Sequence, residues 1–468
     1  MVLTLLASDG VPPVRIMANT IAVLTFVILA AAPLEGAQWH VVVGGSGSGS
    51  ATAPFGRIQD ALSVAQPGDV VLVGPGTFTG AVQSVRAGSA SQPITVRAAN
   101  GRGSTLVTAV GRVLTVNHAY ITVEGLVLDG QYGASDLVRV SSAGTGFTLR
   151  DSEVRRTSRD AIDMGAVHDV LIENSLIHHA LNSADGRTDA HGVVGGAVQR
   201  LTVRNTEIHT FSGDAIQVDP GRAAPGWSDV TIEGCRFWLA PLPGPENGFA
   251  AGVITGENAL DTKADPSYPR ARVTIRNTEA WGFRGSTFMN NMAAFNLKEH
   301  IDATLDRVTV YGSEIAFRLR GPASVRVQNA VVHDVDVAFR YEDDIQNLRI
   351  WNNTVGSGVG QVFRAASSTA SGLTVRNLLV FASTLPGEAS HASNRAVGAG
   401  AFVNPAAHDY RLAPGSDGID AGVTIAEVTT DRDGVSRPQG PAYDIGAFER
   451  AVGAPKPPAA PANVRIVK

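Results

Sequence analysis

The segment GENALDTK, residues 256–263, places two carboxylates and an amine close together in the chain: Glu257, Asp261 and Lys263. Carboxylate oxygens are ligands that calcium prefers, and a lysine surrounded by other cations can act as a base. The segment could therefore bind a metal ion and remove a proton, or it could be an ordinary solvated surface. Which of the two holds depends on the residues that the fold brings beside it.

Related polar positions recur along the chain after a small and a large apolar residue. They occur in DAIDMG (160), DAIQVD (214), NALDTK (258), AAFNLK (293), IAFRLR (315), VAFRYE (337) and QVFRAA (361), whereas DAHGVVG (189) has no clear register. Because side chains alternate along a strand, the residues that follow the apolar ones should point outward. The first outward row is then Asp163, Gln217, Asp261, Asn296, Arg318, Arg340 and Arg364. The second outward row is Gly165, Asp219, Lys263, Lys298, Arg320 and Glu342.

These two rows predict one charged face if the strands stack about 4.8 Å apart. Lys263 would then lie next to Lys298, and Lys298 next to Arg320. The acidic side of the face would contain Asp214, Asp219, Glu257 and Asp261. The basic side would contain Lys263, Lys298, Arg318 and Arg320. Stacked like charges repel one another, so a bound anion would explain a row of cations better than solvent alone.

The strands that would position this face belong to a repeat. FTLRDSEV (147), VLIENSLI (170), LTVRNTEI (201), VTIEGCRF (230), VTIRNTEA (273), ATLDRVTV (303), VRVQNAVV (325), LRIWNNTV (348) and LTVRNLLV (373) all alternate apolar and polar residues. Such alternation is typical of short strands. The closing column of the repeat reads Asp151, Asn174, Asn205, Gly234, Asn277, Arg307, Asn329, Asn352 and Asn377. Asparagines stacked at a turn predict a hydrogen-bonded ladder between coils.

The shortest spacings of the repeat are 22 to 25 residues. A strand-rich unit of this length cannot bury its apolar face alone, whereas stacked units form a continuous core. A β-propeller blade needs about 40 residues, which fits poorly. We therefore predict an all-β protein, a right-handed parallel β-helix (solenoid). The 51 glycines and the 6% aromatic content of the 468 residues also favour short strands and tight turns.

The overall charge excludes some classes of partner. The formal net charge is −5, so no global field recruits nucleic acid or an anionic membrane. Any electrostatic function must be local. Cys235 is the single cysteine and cannot form an internal disulfide. We expect a monomer.

Both ends of the chain differ from the repeat. Arg15 precedes the apolar run IAVLTFVILAAA, residues 21–32, which is followed by small residues. This pattern is typical of a secretory signal peptide and is too short for a comfortable membrane span. We predict a signal peptide over residues 1–37 with cleavage close to Ala37, then a secreted, periplasmic or cell-surface protein without a membrane span. A buried helix is the alternative, and Met17 could be the true start. Residues 451–468 form a Pro/Ala-rich tail, typical of a linker or a surface strand.

The repeat resembles the PbH1 repeats of the pectate-lyase-like right-handed β-helix superfamily across residues 38–450. The opening WHVVVGGSGSGSATAPFGRIQDALSVAQPGDVVLVGPGTFTG is similar to that of secreted members, in which a strand and a short capping helix, here about residues 55–65, precede the first coil. HDYRLAPGSDGIDAG and YDIGAFE resemble a recurrent closing pattern. The resemblance implies a cap and first coil over 38–85, coils over 86–400 and a closing segment over 401–450. Because this fold carries lyases, hydrolases, epimerases, adhesins and binding proteins, it does not identify the function.

The charged face suits β-elimination on a uronic-acid polysaccharide. Removing the C5 proton requires that the adjacent carboxylate be neutralised, which arginine or calcium can do, and a base that lysine can supply. The calcium-dependent pectate lyases of polysaccharide lyase family nine resemble this chain in the spacing of Glu257, Asn258 and Asp261, although asparagine replaces one acid. An acid in the preceding coil matches Asp214, and the family's lysine lies near Lys298. The resemblance implies a calcium site, for which the candidate ligands are Asp214, Asp219, Glu257, Asn258 and Asp261.

Polysaccharide lyase family six is similar in another respect. Its motifs place a lysine at the end of one strand and an arginine at the matching place one coil later, as Lys298 and Arg320 do in FNLKEH and AFRLRG. We predict an acidic polysaccharide as the partner and Lys298, rather than Lys263, as the base. The remaining catalytic candidates are Arg320 and Arg318. The predicted substrate-binding residues are Asn296, Arg340, Gln217 and His191.

Three alternatives stay open. A glycoside hydrolase on this fold would use two or three carboxylates, for which Asp163, Asp219 and Asp261 are candidates. A uronate epimerase would share the proton abstraction. A non-catalytic glycan-binding protein would only hold a polyanion. A separate site in the insertion LIHHALNSADGRTDAHG could combine several residues: His178, His179, Asp185, Asp189 and His191.

Overall fold

Three faces of parallel strands wrap around one apolar interior in the computed structural model. It describes residues 36–182, 189–221, 223–321, 323–366, 370 and 372–450. The first face consists of Gln38–Val41, Val70–Val73, Ile94–Ala98, Ile121–Glu124, Thr148–Arg150, His168–Glu173, Gln199–Arg204, Val230–Glu233, Ala271–Arg276, Ile301–Asp306, Ser324–Gln328, Gln346–Trp351 and Thr374–Arg376. Each strand pairs in parallel with the strand of the next coil, so the right-handed parallel β-helix is confirmed.

The second and third faces join through two long strands, Thr309–Arg320 and Val331–Glu342, that run along both. The other strands of the second face are Gly76–Thr79, Thr105–Thr108, Leu126–Gly133, Glu153–Thr157, Leu176–Ala180, Glu207–Phe211, Arg236–Trp238, Glu279–Trp281, Thr354–Val355, Leu379–Phe381 and Arg395–Val397. Those of the third face are Val82–Gln83, Leu114–Val116, Val138–Val140, Ile162–Met164, Val193–Gly196, Ile216–Asp219, Leu260–Thr262, Ala293–Leu297 and Gln361–Ala365.

Both ends of the coil stack are closed by short elements. The capping helix spans Ile58–Val64, slightly shorter than expected, and buries Ile58, Ala61 and Leu62 in the core. At the other end, the antiparallel strands Phe402–Asn404 and Asp409–Leu412 accompany three 3-10 helices, Gly387–Ala389, Ala399–Ala401 and Pro405–Ala407. The predicted signal peptide, apart from residues 36 and 37, and the predicted tail lie outside the described residues. Across the described part of the chain, no helix is long and apolar enough to cross a membrane.

The core is a stack of equivalent side chains from successive coils. Phe295, Phe317, Phe339 and Phe363 stack with ring centroids 5.8, 5.3 and 5.3 Å apart. Burying such a ring stabilises the fold by roughly 1.5–3 kcal/mol. These phenylalanines are the large apolar residues of the AAFNLK, IAFRLR, VAFRYE and QVFRAA segments, so the apolar pattern sets which residues face outward.

The closing column forms the turn of each coil. All nine of its residues have positive φ angles, a conformation that asparagine and glycine tolerate better than other residues. Asn205 Nδ2 donates to Asn174 Oδ1 at 3.3 Å, and Asn377 Nδ2 donates to Asn352 Oδ1 at 3.2 Å. The predicted ladder between coils is therefore present at these positions.

Candidate active site

The first outward row has the predicted register. Across the third face it reads Asp163, Val194, Gln217, Asp261, Asn296, Arg318, Arg340 and Arg364. Val194 fills the position that DAHGVVG left open. Successive members belong to adjacent coils, so the acidic and basic parts of the face do meet at Asp261.

The middle of this row is buried, unlike a solvated face. Asp261 is 4% exposed and Asn296 is 6% exposed. Polar groups at this depth need hydrogen-bond partners or ligands. The surface alternative is therefore wrong for this part of GENALDTK.

Asp261 is the common partner of its polar neighbours. Its Oδ1 accepts a hydrogen bond from Asn296 Nδ2 at 2.9 Å and lies 3.0 Å from Lys298 Nζ. Its Oδ2 lies 3.7 Å from Lys263 Nζ, which donates to Gln217 Oε1 at 2.5 Å. Both lysines thus face one carboxylate, which offsets the repulsion that the sequence suggested between them.

A second polar row lies at the edge where the strands of the third face begin, and we call it the edge row: Asp160, His191, Asp214 and Asn258. His191 Nδ1 donates to Asp160 Oδ1 at 2.9 Å, and its Nε2 lies 3.6 Å from Asp214 Oδ2. Asp214 Oδ1 accepts from Asn258 Nδ2 at 2.7 Å. The edge row therefore links four successive coils through side chains.

Three buried atoms of the site, Arg340 Nε among them, lack a hydrogen-bond partner within the described residues. The other two are His191 Nε2 and Asn296 Oδ1. Both side chains belong to residues that are 6% exposed. One atom can donate and the other can accept. Since such groups are normally satisfied, this pair is the strongest local sign of a bound polar ligand.

The acids around His191 have altered proton affinities. Burial and the charge of Asp261 raise the pKa of Asp214 to about 7. Burial, followed by the charges of Asp214 and Asp189, raises the pKa of Glu257 to about 8. Burial alone would lower the pKa of His191, but the hydrogen bond to Asp160 and the charge of Asp214 raise it to about 9. The site can therefore hold protons near neutral pH.

The arginines of the face share one carboxylate, that of Glu342. Arg318 Nε lies 2.7 Å and Arg320 Nε 3.0 Å from Glu342 Oε1, and Arg340 lies 3.1 Å from Oε2. Arg320 also pairs with Asp343 at 3.2 Å. These cations are thus partly neutralised within the protein, and a bound anion is not required to explain their stacking.

The candidate calcium ligands are brought together only in part. Asp219 lies at the far end of its strand from Asp214, and its Oδ1 accepts a hydrogen bond from Gly221 N. Asn258 is fully engaged, because its Oδ1 accepts from Ala293 N at 3.2 Å while its Nδ2 donates to Asp214. Asp214, Glu257 and Asp261 remain as carboxylates whose charges act on one another.

The predicted histidine site is divided between two places. His178 Nε2 lies 3.2 Å from Glu153, and its ring stacks on that of His209. His191 instead belongs to the edge row, where Asp189 lies 3.9 Å from its Nε2. Asp185 lies outside the described residues.

Sequence reasoning missed Asp160 as a partner of His191. The signal was available, because Asp160 opens DAIDMG at the position that Asp214 occupies in DAIQVD and Asn258 in NALDTK. Asp163, a hydrolase candidate, forms an ion pair with Arg139. That pairing separates it from the edge row.

No family model and no curated protein matches the chain. Among solved structures, pectate lyase Pel9A matches with a TM-score of 0.51 and 18% sequence identity, over 88% of this chain and 96% of that one. A rhamnogalacturonan lyase matches with a TM-score of 0.49 and 14% identity, over 79% and 91%. An alginate lyase from Paenibacillus sp. str. FPU-7 matches with a TM-score of 0.43 and 20% identity, over 59% and 90%. At these identities, the first match shows the shared β-helix fold.

Proposed function

We propose that the protein is a polysaccharide lyase that cleaves a uronic-acid-containing polysaccharide by β-elimination, with Lys298 as the base. The observation that carries the proposal is the position of Lys298. Its side-chain nitrogen lies at Asp261 Oδ1, the oxygen that also accepts a hydrogen bond from Asn296, and Arg318 belongs to the next coil. A base in this position would have polar groups and a guanidinium beside it to orient a sugar carboxylate.

The charge of the face supports an anionic substrate. The cations Lys263, Lys298, Arg318, Arg320 and Arg340 face fewer carboxylates, namely Asp261, Glu342 and Asp343. The basic part of the face therefore keeps a positive excess after its internal ion pairs are counted. Guanidinium groups bind carboxylates with two parallel hydrogen bonds, which suits a uronate.

The departing oxygen of a β-elimination needs a proton. When no calcium is bound to them, Asp214 and Glu257 are suited to supply it, because burial keeps both carboxyls protonated closer to neutral pH than usual. His191, linked to Asp160 and Asp214, would hold Asp214 in position. This assignment gives the acid role to Asp214 of the edge row and to Glu257 beside it, and the base role to Lys298.

Calcium is part of the proposal as a substrate-binding ion. The candidate ligands are of the type that calcium prefers, because Asp214, Glu257 and Asp261 offer hard carboxylate oxygens. The like charges that raise the pKa values of Asp214 and Glu257 would be relieved by a divalent cation. When bound, calcium would neutralise the substrate carboxylate. Because Asp214 and Glu257 would then be ionised ligands, the departing oxygen would take its proton from water.

A glycoside hydrolase is the second candidate. It is favoured by the same two acids, because glycoside hydrolysis needs one carboxyl that stays protonated and a second carboxylate. We further propose that the protein is exported, as the predicted signal peptide implies.

Ultraviolet absorbance separates these functions. The protein would be mixed with polygalacturonate, alginate, chondroitin, dermatan, heparin and ulvan, first with calcium and then with a chelator, while reducing ends are counted in parallel. A lyase gives new absorbance from the C4–C5 double bond together with new reducing ends. New reducing ends without absorbance identify a hydrolase. Intact polymer that still binds identifies a glycan-binding protein, or an epimerase if C5 hydrogens exchange with solvent deuterium.

A further inference from the structure

A cluster of side chains that could bind a metal ion lies away from the charged face, where the closing segment meets the coils. His333, Asp334 and His408 each offer a ligating atom, and these atoms lie within 4.8 Å of one another. His333 Nδ1 is 2.9 Å and His408 Nε2 is 3.7 Å from the same oxygen, Asp334 Oδ2. The two imidazole rings stack 4.0 Å apart at 16°, so both present a nitrogen to one side.

Other residues hold these ligands in place. His408 Nδ1 lies 3.2 Å from Tyr410 Oη, and the buried Tyr410 is hydrogen-bonded in turn to Ser357. Hydrogen bonds to the second ring nitrogen of this kind orient histidines that bind metals. Gly358 allows Asp334 to approach, because a Cβ there would lie 2.0 Å from Asp334 Oδ1.

The backbone at the cluster is also constrained. Asp334 and His408 both have positive φ angles, of 51° and 56°. Non-glycine residues in this conformation are uncommon, and they often mark positions where a side chain must be aimed.

We propose that His333, Asp334 and His408 bind one transition-metal ion and that the preferred ion is zinc. The bound ion would fasten the closing segment to the solenoid. Two imidazoles and one carboxylate are a donor set that suits zinc and leaves a fourth position for water. The nitrogen ligand set disfavours calcium, which prefers oxygen.

The test uses the full chain, stripped with a chelator and titrated with zinc chloride by calorimetry. We expect one zinc per chain at this site and a rise of a few degrees in Tm. His408→Phe is the informative variant, because it keeps a ring stacked on His333 but removes the ligand. It should lose the zinc-dependent rise in Tm, while His391→Phe, outside the cluster, should keep it.

A second readout separates coordination from packing. Cobalt substituted for zinc gives a visible absorption band whose position and strength report its ligands. Asp334→Asn changes one ligand atom at nearly constant shape, so it should alter this band while leaving the metal-free Tm close to that of the original protein. The proposal is overturned if the protein binds no zinc, or if His408→Phe and Asp334→Asn bind zinc as the original protein does.

Discussion

Lys298 Nζ lies 3.0 Å from Asp261 Oδ1, and the same carboxylate faces Lys263 from its other oxygen at 3.7 Å. The two lysines are not equivalent. The Lys298 side chain is 13% exposed, whereas that of Lys263 is 42% exposed and is also held by Gln217. The protein thus offers one shielded and one solvated ammonium group at a single buried acid.

Lys298→Ala should therefore lower the lyase turnover number by about 10²–10⁴-fold, the usual contribution of a general base. Substrate binding should change little, because the arginines remain. Lys263→Ala is the matched control and should reduce turnover by less than about tenfold, since the Lys263 amine is not the proposed proton acceptor. The measurement is initial-rate absorbance on the polymer that the panel identifies. Equal losses in the two variants would contradict the assignment of the base.

Asp261→Asn should destabilise the fold by about 3 kcal/mol, because it leaves Lys298 without its counter-charge in a buried setting. Asp229→Asn is the control, since Asp229 pairs with Arg272 on the surface at 2.7 Å. Exposed pairs contribute about 0–1 kcal/mol, so this variant should remain close to the original protein. Urea unfolding measures both free energies. A loss at Asp261 no larger than that at Asp229 would show that Lys298 does not depend on this acid.

The asparagine ladder allows a second stability comparison, between Asn377 and Asn174. Both have φ angles near 50°, so alanine meets the same backbone penalty at each. Asn377 is fully buried, donates to Asn352 Oδ1 and Val423 O, and accepts from Val423 N. Asn174 is exposed, and its Oδ1 accepts from Asn205.

Asn377→Ala should consequently cost about 1–3 kcal/mol more than Asn174→Ala, the cost of leaving buried partners unsatisfied. Thermal or urea unfolding of the two variants gives this difference directly. Equal losses would mean that the turn conformation, and not the hydrogen bonding, accounts for asparagine in the closing column.

The repeated parts of this fold could be predicted from the sequence because each coil has the same alternation of inward apolar and outward polar residues. Leu260, Phe295 and Phe317 fix which residues point inward. Strand alternation then places Asp261, Asn296 and Arg318 outward. The register of these residues depends on no long-range information, and it is confirmed.

The charge balance of the site could not be predicted in the same way. Glu342 appeared as one more outward residue, yet it is the carboxylate that pairs with Arg318, Arg320 and Arg340. The pairing of His191 with Asp160 spans an insertion that hides the register of DAHGVVG. Side-chain direction at such turns depends on backbone geometry, which the apolar pattern does not specify.

Calcium removal tests the metal proposal separately from the zinc site. We expect a chelator to reduce activity, and calcium to bind through Asp214 and Glu257 with an affinity that falls in Asp214→Asn and Glu257→Gln. Asp219→Asn is the control, because Asp219 lies at the other end of its strand. Calorimetry with calcium chloride measures the affinities, and His408→Phe should leave them unchanged. Calcium affinity that is unaffected by the Asp214 and Glu257 variants would refute this site.

Asp214 and His191 of the edge row, together with Glu257 beside it, should make the protein less stable as the pH rises. The pKa of Asp214 rises from 3.8 to about 7 and that of Glu257 from 4.5 to about 8, so between these values the folded state holds protons that the unfolded state has lost. The pKa of His191 rises from 6.5 to about 9, so its contribution is fully present below pH 6.5 and is lost as the pH rises through 9. All three groups therefore act with the same sign.

Glu257→Gln should flatten the decline in stability between pH 4.5 and about 8, because a neutral amide replaces the group whose ionisation is suppressed by folding. Glu427→Gln is the control, since Glu427 is exposed and lies in the closing segment. The measurement is Tm against pH for the original protein and both variants, in buffers of constant ionic strength. If both Glu257→Gln and Glu427→Gln show the same decline of Tm with pH as the original protein, the carboxyl of Glu257 is ionised in the folded protein at neutral pH. It could then not supply the proton to the departing oxygen, and the acid role would pass to Asp214.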